Sequence, residues 1–241
     1  TLSSSSAASD VYKRQAHHHR YLQDLSAMAP EGVKGVIFDL DGTLIQSSID
    51  FTKMKRRMIE ILEANGVSKG VLSPNETTVA TLAKAEKIWD EQGKPEKERD
   101  AVRRDLDETM DQVEFEAIPL VTEVAGAAWA MRKLKQMGLK LAVLTRSHHA
   151  YAVEALRKIN ADTYFDLILG RGETPRPKPY AEALQHASKL MGLTLKEVIF
   201  IGDHHIDSTC AQNAECSFVG VRSGPRGEDS WEKNRPEVLL D

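Results

Sequence analysis

Two carboxylates, Asp39 and Asp41, stand two residues apart where a short apolar run, residues 33–38, comes to an end. The run is typical of a buried parallel strand, and Gly42 permits a backbone turn directly after it. Acidic side chains at such a turn can point into one pocket. One of them can then attack a phosphorus atom, while the other donates a proton to the leaving oxygen and later takes a proton from water. The spacing therefore predicts paired carboxylate chemistry on a phosphate ester.

Similar apolar runs predict the other strands of a parallel sheet. They cover residues 139–144, 165–169, 198–201 and 218–221, and helical patterns lie between them at residues 124–137, 149–159 and 180–191. Gly138 and Gly192 follow two of these helices, where a helix C-terminus favours glycine. Strand alternating with helix predicts an α/β fold with a doubly wound parallel sheet. Ligands of such sheets bind at the carboxyl ends of the strands, which is where Asp39 stands.

The first two predicted strands are separated by far more than one crossover helix. Residues 47–118 contain no convincing strand pattern and predict an all-helical insertion of three or four helices. Three amphipathic stripes mark these helices, and we interpret them as core packing: Phe51, Met54, Met58, Ile61 and Leu62; Leu82, Ala85, Ile88 and Trp89; and Val102, Leu106, Met110 and Val113.

The composition is that of an ordinary globular protein. The 241 residues carry a formal net charge of -4, which gives no electrostatic reason to expect nucleic acid or an anionic membrane as partner. No apolar run approaches the roughly 20 residues that cross a bilayer. Cys210 and Cys216 are the only cysteines, so we expect small buried side chains and a reducing cytoplasm.

The N-terminal segment, residues 1–29, is excluded from this fold prediction. It is rich in Ser and Ala, and residues 10–15 look like a translated sequencing-library adaptor. We expect a disordered or artefactual segment with Met28 as a credible native start. An organellar transit peptide stays open as the alternative.

The chain resembles the haloacid dehalogenase superfamily in four motifs that follow the family's order. The first is the strand followed by Asp39-Leu40-Asp41-Gly42-Thr43, and the second is Thr145 at the end of an apolar strand. The third is Lys178, and the fourth is Gly202-Asp203 with Asp207. The resemblance implies a Rossmann-like core from residues 30–46 and 119–241. It also implies that residues 47–118 form the family's helical cap, which closes over small substrates.

The resemblance, together with the chemistry of these residues, implies a role for each motif. Asp39 is expected to be the nucleophile and a metal ligand, and Asp41 the acid and base, whose backbone carbonyl also reaches the metal. Asp203 is expected to be the remaining direct metal ligand, and Asp207 to bind the metal directly or to act through a water molecule. Mg²⁺ is expected because oxygen ligands and retained waters suit a small hard cation.

Thr145 and Lys178 are expected to bind the phosphate. The implied function is a Mg²⁺-dependent phosphatase of the phosphoglycolate phosphatase-like type. It would hydrolyse a small phosphorylated metabolite through an aspartyl-phosphate, as a monomer or a homodimer. The second aspartate, Asp41, argues against dehalogenation. A β-phosphoglucomutase-like phosphosugar mutase and a catalytically inactive binding protein of the same fold stay open.

Three residues beside the motifs have open roles. Arg146 follows Thr145 and could bind a second anionic group such as a carboxylate, or be merely solvated. His204 and His205 stand within the fourth motif, where relatives more usually have small residues. They could contact the substrate or orient metal ligands, or lie in a surface loop.

Overall fold

The computed structural model describes residues 32–241, so the prediction for residues 1–29 lies outside the described residues. The chain divides into two compact units. Among the described residues, one unit contains residues 32–46 together with Thr122–Asp241, and the other is Ser47–Val121.

The first unit is built on a six-stranded sheet whose strand order is β5-β4-β1-β6-β7-β8, with every neighbouring pair parallel. A separate antiparallel pair joins β2 to β3. The strands are β1 (Gly35–Phe38), β2 (Ile45–Gln46), β3 (Thr122–Glu123), β4 (Lys140–Leu144), β5 (Leu167–Leu169), β6 (Val198–Gly202), β7 (Ser217–Val221) and β8 (Leu239–Leu240). The predicted α/β fold with a parallel sheet is confirmed. Strands β2, β3 and β8 were not predicted, because two residues are too few to produce a periodic pattern.

The second unit is helical and contains α1 (Phe51–Ala64), α2 (Thr78–Gln92) and α3 (Glu96–Ala117). Its buried stripes include Met54 and Met58 on α1, Trp89 on α2 and Leu106 on α3. Phe51, expected on the first stripe, is exposed instead because it begins α1.

In the described part of the first unit, four helices accompany the sheet: α4 (Ala127–Gln136), α5 (His149–Lys158), α6 (Ala181–Leu190) and α7 (His205–Ala214). Gly138 and Gly192 follow α4 and α6 with positive φ angles of 81° and 68°, as the sequence predicted. Helix α7 was not predicted, because its first turn holds the polar residues of the fourth motif. Short 3₁₀ turns cover Ile118–Leu120, Asp162–Tyr164, Leu195–Glu197 and Gly227–Trp231.

The centre of the sheet is apolar and closely packed. Ile37 of β1 and Phe200 of β6 are fully buried, and Leu184 of α6 and Cys210 of α7 belong to the same core cluster. Cys210 and Cys216 are both buried free thiols, as expected. Packing of this kind fixes β4, β1 and β6 side by side, so the residues after their carboxyl ends come together. Among the described residues, no helix is long and apolar enough to span a membrane.

Candidate active site

Lys178 joins two of the predicted carboxylates. Its Nζ atom donates hydrogen bonds to Oδ1 of Asp39 at 2.5 Å and to Oδ1 of Asp207 at 2.7 Å. Asp39 follows β1, Asp207 lies in the first turn of α7, and Lys178 precedes α6 with only 3% of its surface exposed. Burial alone would lower the pKa of Lys178, but the charges of Asp207 and Asp39 raise it above its usual value. Lys178 therefore stays a cation between the two carboxylates.

Asp203 is the third buried carboxylate of the cluster. It follows β6, and its Oδ1 accepts a hydrogen bond from the Thr43 hydroxyl at 3.4 Å. Burial, together with the charges of Asp39 and Asp207, raises the pKa of Asp203 well above its usual value. Burial also raises the pKa of Asp207, although Lys178 opposes that shift. One lysine faces three carboxyl groups, so ionisation of all three would leave the cluster with excess negative charge.

The donor set of this cluster fits a hard divalent cation. Asp39, Asp203 and Asp207 each offer an oxygen atom, and these atoms lie within 4.8 Å of one another. Carboxylate oxygens are the ligands that Mg²⁺ prefers in proteins, and a cation would offset the excess negative charge. The residues present therefore suit Mg²⁺.

Two glycines leave room for the Asp203 carboxylate. A Cβ atom on Gly42 would lie 2.4 Å from Oδ2 of Asp203, and one on Gly224 would lie 1.8 Å from the same atom. Gly224 follows β7, where the sequence indicates only a turn, so sequence reasoning missed its role. Ser223, just before it, donates a hydrogen bond from its hydroxyl to the Gly42 carbonyl at 2.7 Å. The loop after β7 is thus packed against the first motif.

Asp41 accepts hydrogen bonds from two hydroxyl groups. The Tyr151 hydroxyl donates to Oδ1 of Asp41 at 2.9 Å, and the Ser147 hydroxyl donates to Oδ2 at 3.1 Å. Sequence reasoning missed both residues. Ser147 lies in the bend before α5 and Tyr151 in its first turn, and nothing in their local sequence names Asp41 as their partner.

Thr145 lies directly after β4 and is buried. Its backbone N–H donates to the Leu169 carbonyl at 2.9 Å, and its Oγ1 accepts from the Ser147 N–H at 3.1 Å. These bonds fix Thr145 at the same edge of the sheet as Asp39.

Arg146 is half-buried, and its carbonyl accepts a hydrogen bond from Nη1 of Arg171 at 3.4 Å. Burial lowers the pKa of Arg146, while the charges of Asp207 and Asp39 act to raise it. The Arg146 guanidinium therefore lies within electrostatic reach of the carboxylate cluster.

His204 and His205 lie at the start of α7. The His204 Nδ1 atom accepts from the Ile206 N–H at 3.3 Å, so Nε2 carries the ring proton. Burial and nearby positive charge, with His205 first among the sources, lower the pKa of His204 to about 3. The His204 N–H in turn donates to Oδ2 of Asp207 at 3.2 Å. His204 is therefore a neutral helix cap that contacts Asp207, and its ring lies 4.1 Å from that of His205 between centroids.

The fold and the cluster together define an α/β protein with a buried acidic site, compensated by one lysine, at the carboxyl edge of its sheet. Residues 36–221 match the family described as haloacid dehalogenase-like hydrolase. A phosphoglycolate phosphatase from Neisseria meningitidis is 30% identical over 201 residues, covering 81% of this chain and 83% of the relative. Another from Salmonella paratyphi A is 25% identical over 230 residues, covering 88% and 90%.

Solved structures agree on the fold. A predicted phosphoglycolate phosphatase from Haemophilus somnus has a TM-score of 0.59 at 21% identity, with 87% of this chain and 94% of that chain covered. A hydrolase from Pseudomonas syringae has a TM-score of 0.58 at 18% identity, with 86% and 93% covered. At these identities the likeness establishes the fold alone.

The chain belongs to the haloacid dehalogenase-like hydrolase family. The resemblance to its phosphoglycolate phosphatase-like type is confirmed, as is the expected enzyme class of phosphoric monoester hydrolases.

Proposed function

We propose that this protein is a Mg²⁺-dependent phosphatase that hydrolyses a small phosphate monoester through a phosphorylated Asp39. The observation that carries the proposal is the contact of Lys178 with both Asp39 and Asp207, in a cluster where Asp203 offers a third oxygen ligand. A nucleophilic carboxylate needs a fixed position in the site, and the buried Lys178 ammonium holds Asp39 through a hydrogen bond of 2.5 Å.

In the first half of the reaction, Asp39 attacks the phosphorus atom as the bond between phosphorus and the leaving oxygen breaks. Asp41 gives its proton to that oxygen, and the alcohol departs. In the second half, water attacks the phosphorus atom of phospho-Asp39, and the Asp41 carboxylate takes a proton from the water. Inorganic phosphate leaves, which restores the Asp39 carboxylate and the protonated Asp41.

Positive groups support both halves. When bound, Mg²⁺ would supply positive charge to the phosphoryl oxygens, held by Asp39, Asp203, Asp207 and the Asp41 carbonyl. Lys178 balances the carboxylates from the other side. Thr145 Oγ1 accepts a hydrogen bond from the Ser147 N–H, and the Thr145 hydroxyl hydrogen can be donated to a phosphoryl oxygen.

Phosphoglycolate is the substrate that we propose first, because the curated relatives that match this chain are phosphoglycolate phosphatases. It carries a carboxylate beside its phosphate, and Arg146, within electrostatic reach of Asp39, is suited to bind it. In this proposal the His204 backbone N–H orients Asp207 through its hydrogen bond, and His205 supports His204 through the contact between their rings. The cytoplasmic location, the monomeric or dimeric state and the absence of nucleic acid or membrane partners remain predictions.

The test is phosphate release from a panel of phosphorylated metabolites in Mg²⁺ or EDTA. We expect release in Mg²⁺ with phosphoglycolate among the best substrates, and at least a hundredfold loss, roughly, in EDTA or in Asp39→Asn. Asp162→Asn, which changes a partly exposed aspartate far along the chain, is the matched control and should retain activity.

Equal phosphate release by the wild type and Asp39→Asn would refute the covalent mechanism. The same panel includes β-glucose 1-phosphate. Its conversion to glucose 6-phosphate faster than phosphate is released would favour the mutase, and no reaction with any substrate would favour the inactive binding protein.

A further inference from the structure

Each carboxylate oxygen of Asp41 accepts a hydrogen bond from a different hydroxyl group. Tyr151 donates to Oδ1 at 2.9 Å and Ser147 to Oδ2 at 3.1 Å. Tyr151 is fully buried, and Ser147 is 5% exposed. A carboxylate that accepts one hydrogen bond on each oxygen has a fixed orientation, because rotation about its Cβ–Cγ bond would break both hydrogen bonds.

The same turn of chain also fixes Thr145. The Ser147 N–H donates to Thr145 Oγ1 at 3.1 Å, while the Ser147 hydroxyl donates to Asp41. The Ser147 carbonyl accepts from the Arg171 N–H at 2.8 Å, which ties the turn to the segment after β5. Ser147 therefore bonds both to Thr145, the proposed phosphate contact, and to Asp41, the proposed acid.

We infer that Ser147 and Tyr151 are positioning residues that aim the Asp41 carboxyl group at the leaving oxygen of the substrate. This inference rests on the proposed function, because it assumes that Asp41 is the acid.

The proton balance of the reaction is unaffected by either hydroxyl. Asp41 loses its proton to the leaving oxygen as the alcohol departs, and it regains one from the attacking water. Tyr151 and Ser147 keep their hydrogens throughout. Their contribution is orientation, which general acid catalysis needs because the proton must lie within hydrogen-bond reach of the leaving oxygen.

The dependence on leaving group separates this role from a purely structural one. An alkyl leaving group needs a proton as it departs, whereas p-nitrophenolate leaves readily without one. The kcat/KM value covers the steps up to departure of the leaving group, so it reports on the acid. We would measure it for Tyr151→Phe, Ser147→Ala and the double variant, using p-nitrophenyl phosphate and the alkyl phosphate that the wild type hydrolyses best.

For each single variant, we expect kcat/KM to fall about tenfold with the alkyl phosphate and less than about twofold with p-nitrophenyl phosphate. Tyr164→Phe and Ser188→Ala are the matched controls, since they remove hydroxyls that bond elsewhere, near Arg132 and Gln185. They should leave both kcat/KM values unchanged. Tyr151→Phe keeps the buried ring, and urea unfolding of each variant checks that the fold survives.

Equal losses on both substrates, or no loss on either, would overturn the positioning role while leaving the phosphatase proposal intact. The absence of any Asp39-dependent phosphate release by the wild type would remove the proposed function and the positioning role together. If one variant fails to fold, the other decides the result, because each contacts a different oxygen of Asp41.

Discussion

Single side chains at this site act through their charge. Lys178 supplies one positive charge to three buried carboxylates, and Arg146 lies within electrostatic reach of two of them. A substrate with a phosphate and a second anionic group would need a further positive charge, in addition to those of Lys178 and a bound metal ion. Arg146 is placed after Thr145, the proposed phosphate contact, and so is suited to supply that charge.

Arg146→Met tests this at the residue scale. We expect KM for phosphoglycolate to rise about tenfold, because a charge-assisted hydrogen bond to the carboxylate is lost, while kinetic constants for p-nitrophenyl phosphate change little. Steady-state kinetics on the two substrates measures the difference. Arg157→Met, at an arginine paired with Glu154 on the surface, is the control. A loss of the same size on both substrates would contradict carboxylate binding by Arg146.

The elements of the core position the site through close backbone approach. The loop after β7 brings Gly224 against the Asp203 carboxylate, and Ser223 bonds to the carbonyl of Gly42 in the first motif. Gly224 does not have a positive φ angle. A glycine is needed there because a side chain would collide with the Asp203 carboxylate, not because of the backbone conformation. The loop thus lines one side of the proposed metal site.

Gly224→Ala is the prediction at the scale of this loop. The added Cβ would lie 1.8 Å from Oδ2 of Asp203, so the carboxylate must move, and we expect weaker Mg²⁺ binding with at least a tenfold loss of activity, roughly. Activity titrated against Mg²⁺ measures it.

Gly138→Ala is the matched control. It strains a positive φ angle, but its Cβ meets nothing within 4 Å. It should cost about 1 kcal/mol of the free energy of unfolding and leave the Mg²⁺ requirement unchanged. An unaltered Mg²⁺ titration for Gly224→Ala would show that the loop does not limit the site.

The stability of the whole molecule is coupled to the charge of the cluster. A carboxyl group whose pKa is raised on folding, such as Asp203, favours the unfolded chain increasingly as pH rises from its unfolded pKa through its folded pKa. Above the unfolded pKa of Asp203, this carboxyl group therefore destabilises the metal-free protein, and a cation that binds only the folded state offsets that cost.

We accordingly expect saturating Mg²⁺ to raise the midpoint of thermal unfolding. At a hundred times the dissociation constant, the gain is about 2.7 kcal/mol, or a shift of roughly 5–10 °C for a chain of this size. Asp203→Asn should abolish the shift and, because it removes a disfavoured charge, raise the midpoint of the metal-free protein. Differential scanning calorimetry with Mg²⁺ or EDTA measures both. An equal shift in the wild type and Asp203→Asn would place the metal elsewhere.

Much of the fold could be predicted from local sequence. Buried parallel strands are continuous apolar runs, so β1, β4, β5, β6 and β7 were each predicted to within about two residues at either end. Gly138 and Gly192 fixed two helix ends for the same local reason. Helix α7 escaped prediction because its first turn, with His204 and Asp207 as a capping box, is polar.

The sequence by itself determined which chemical groups this protein has and which strands carry them, because both are written in short runs of neighbouring residues. Only the tertiary structure decided which groups touch. Lys178 meets Asp39 across 139 residues of chain, and Ser147 and Tyr151 meet Asp41 across 106 and 110. The contacts with Asp41 follow from the placement of β4 beside β1 in the sheet, while Lys178 reaches Asp39 because α6, which it precedes, packs on the core of the sheet. Local periodicity carries no record of these placements, since they arise from packing between distant segments.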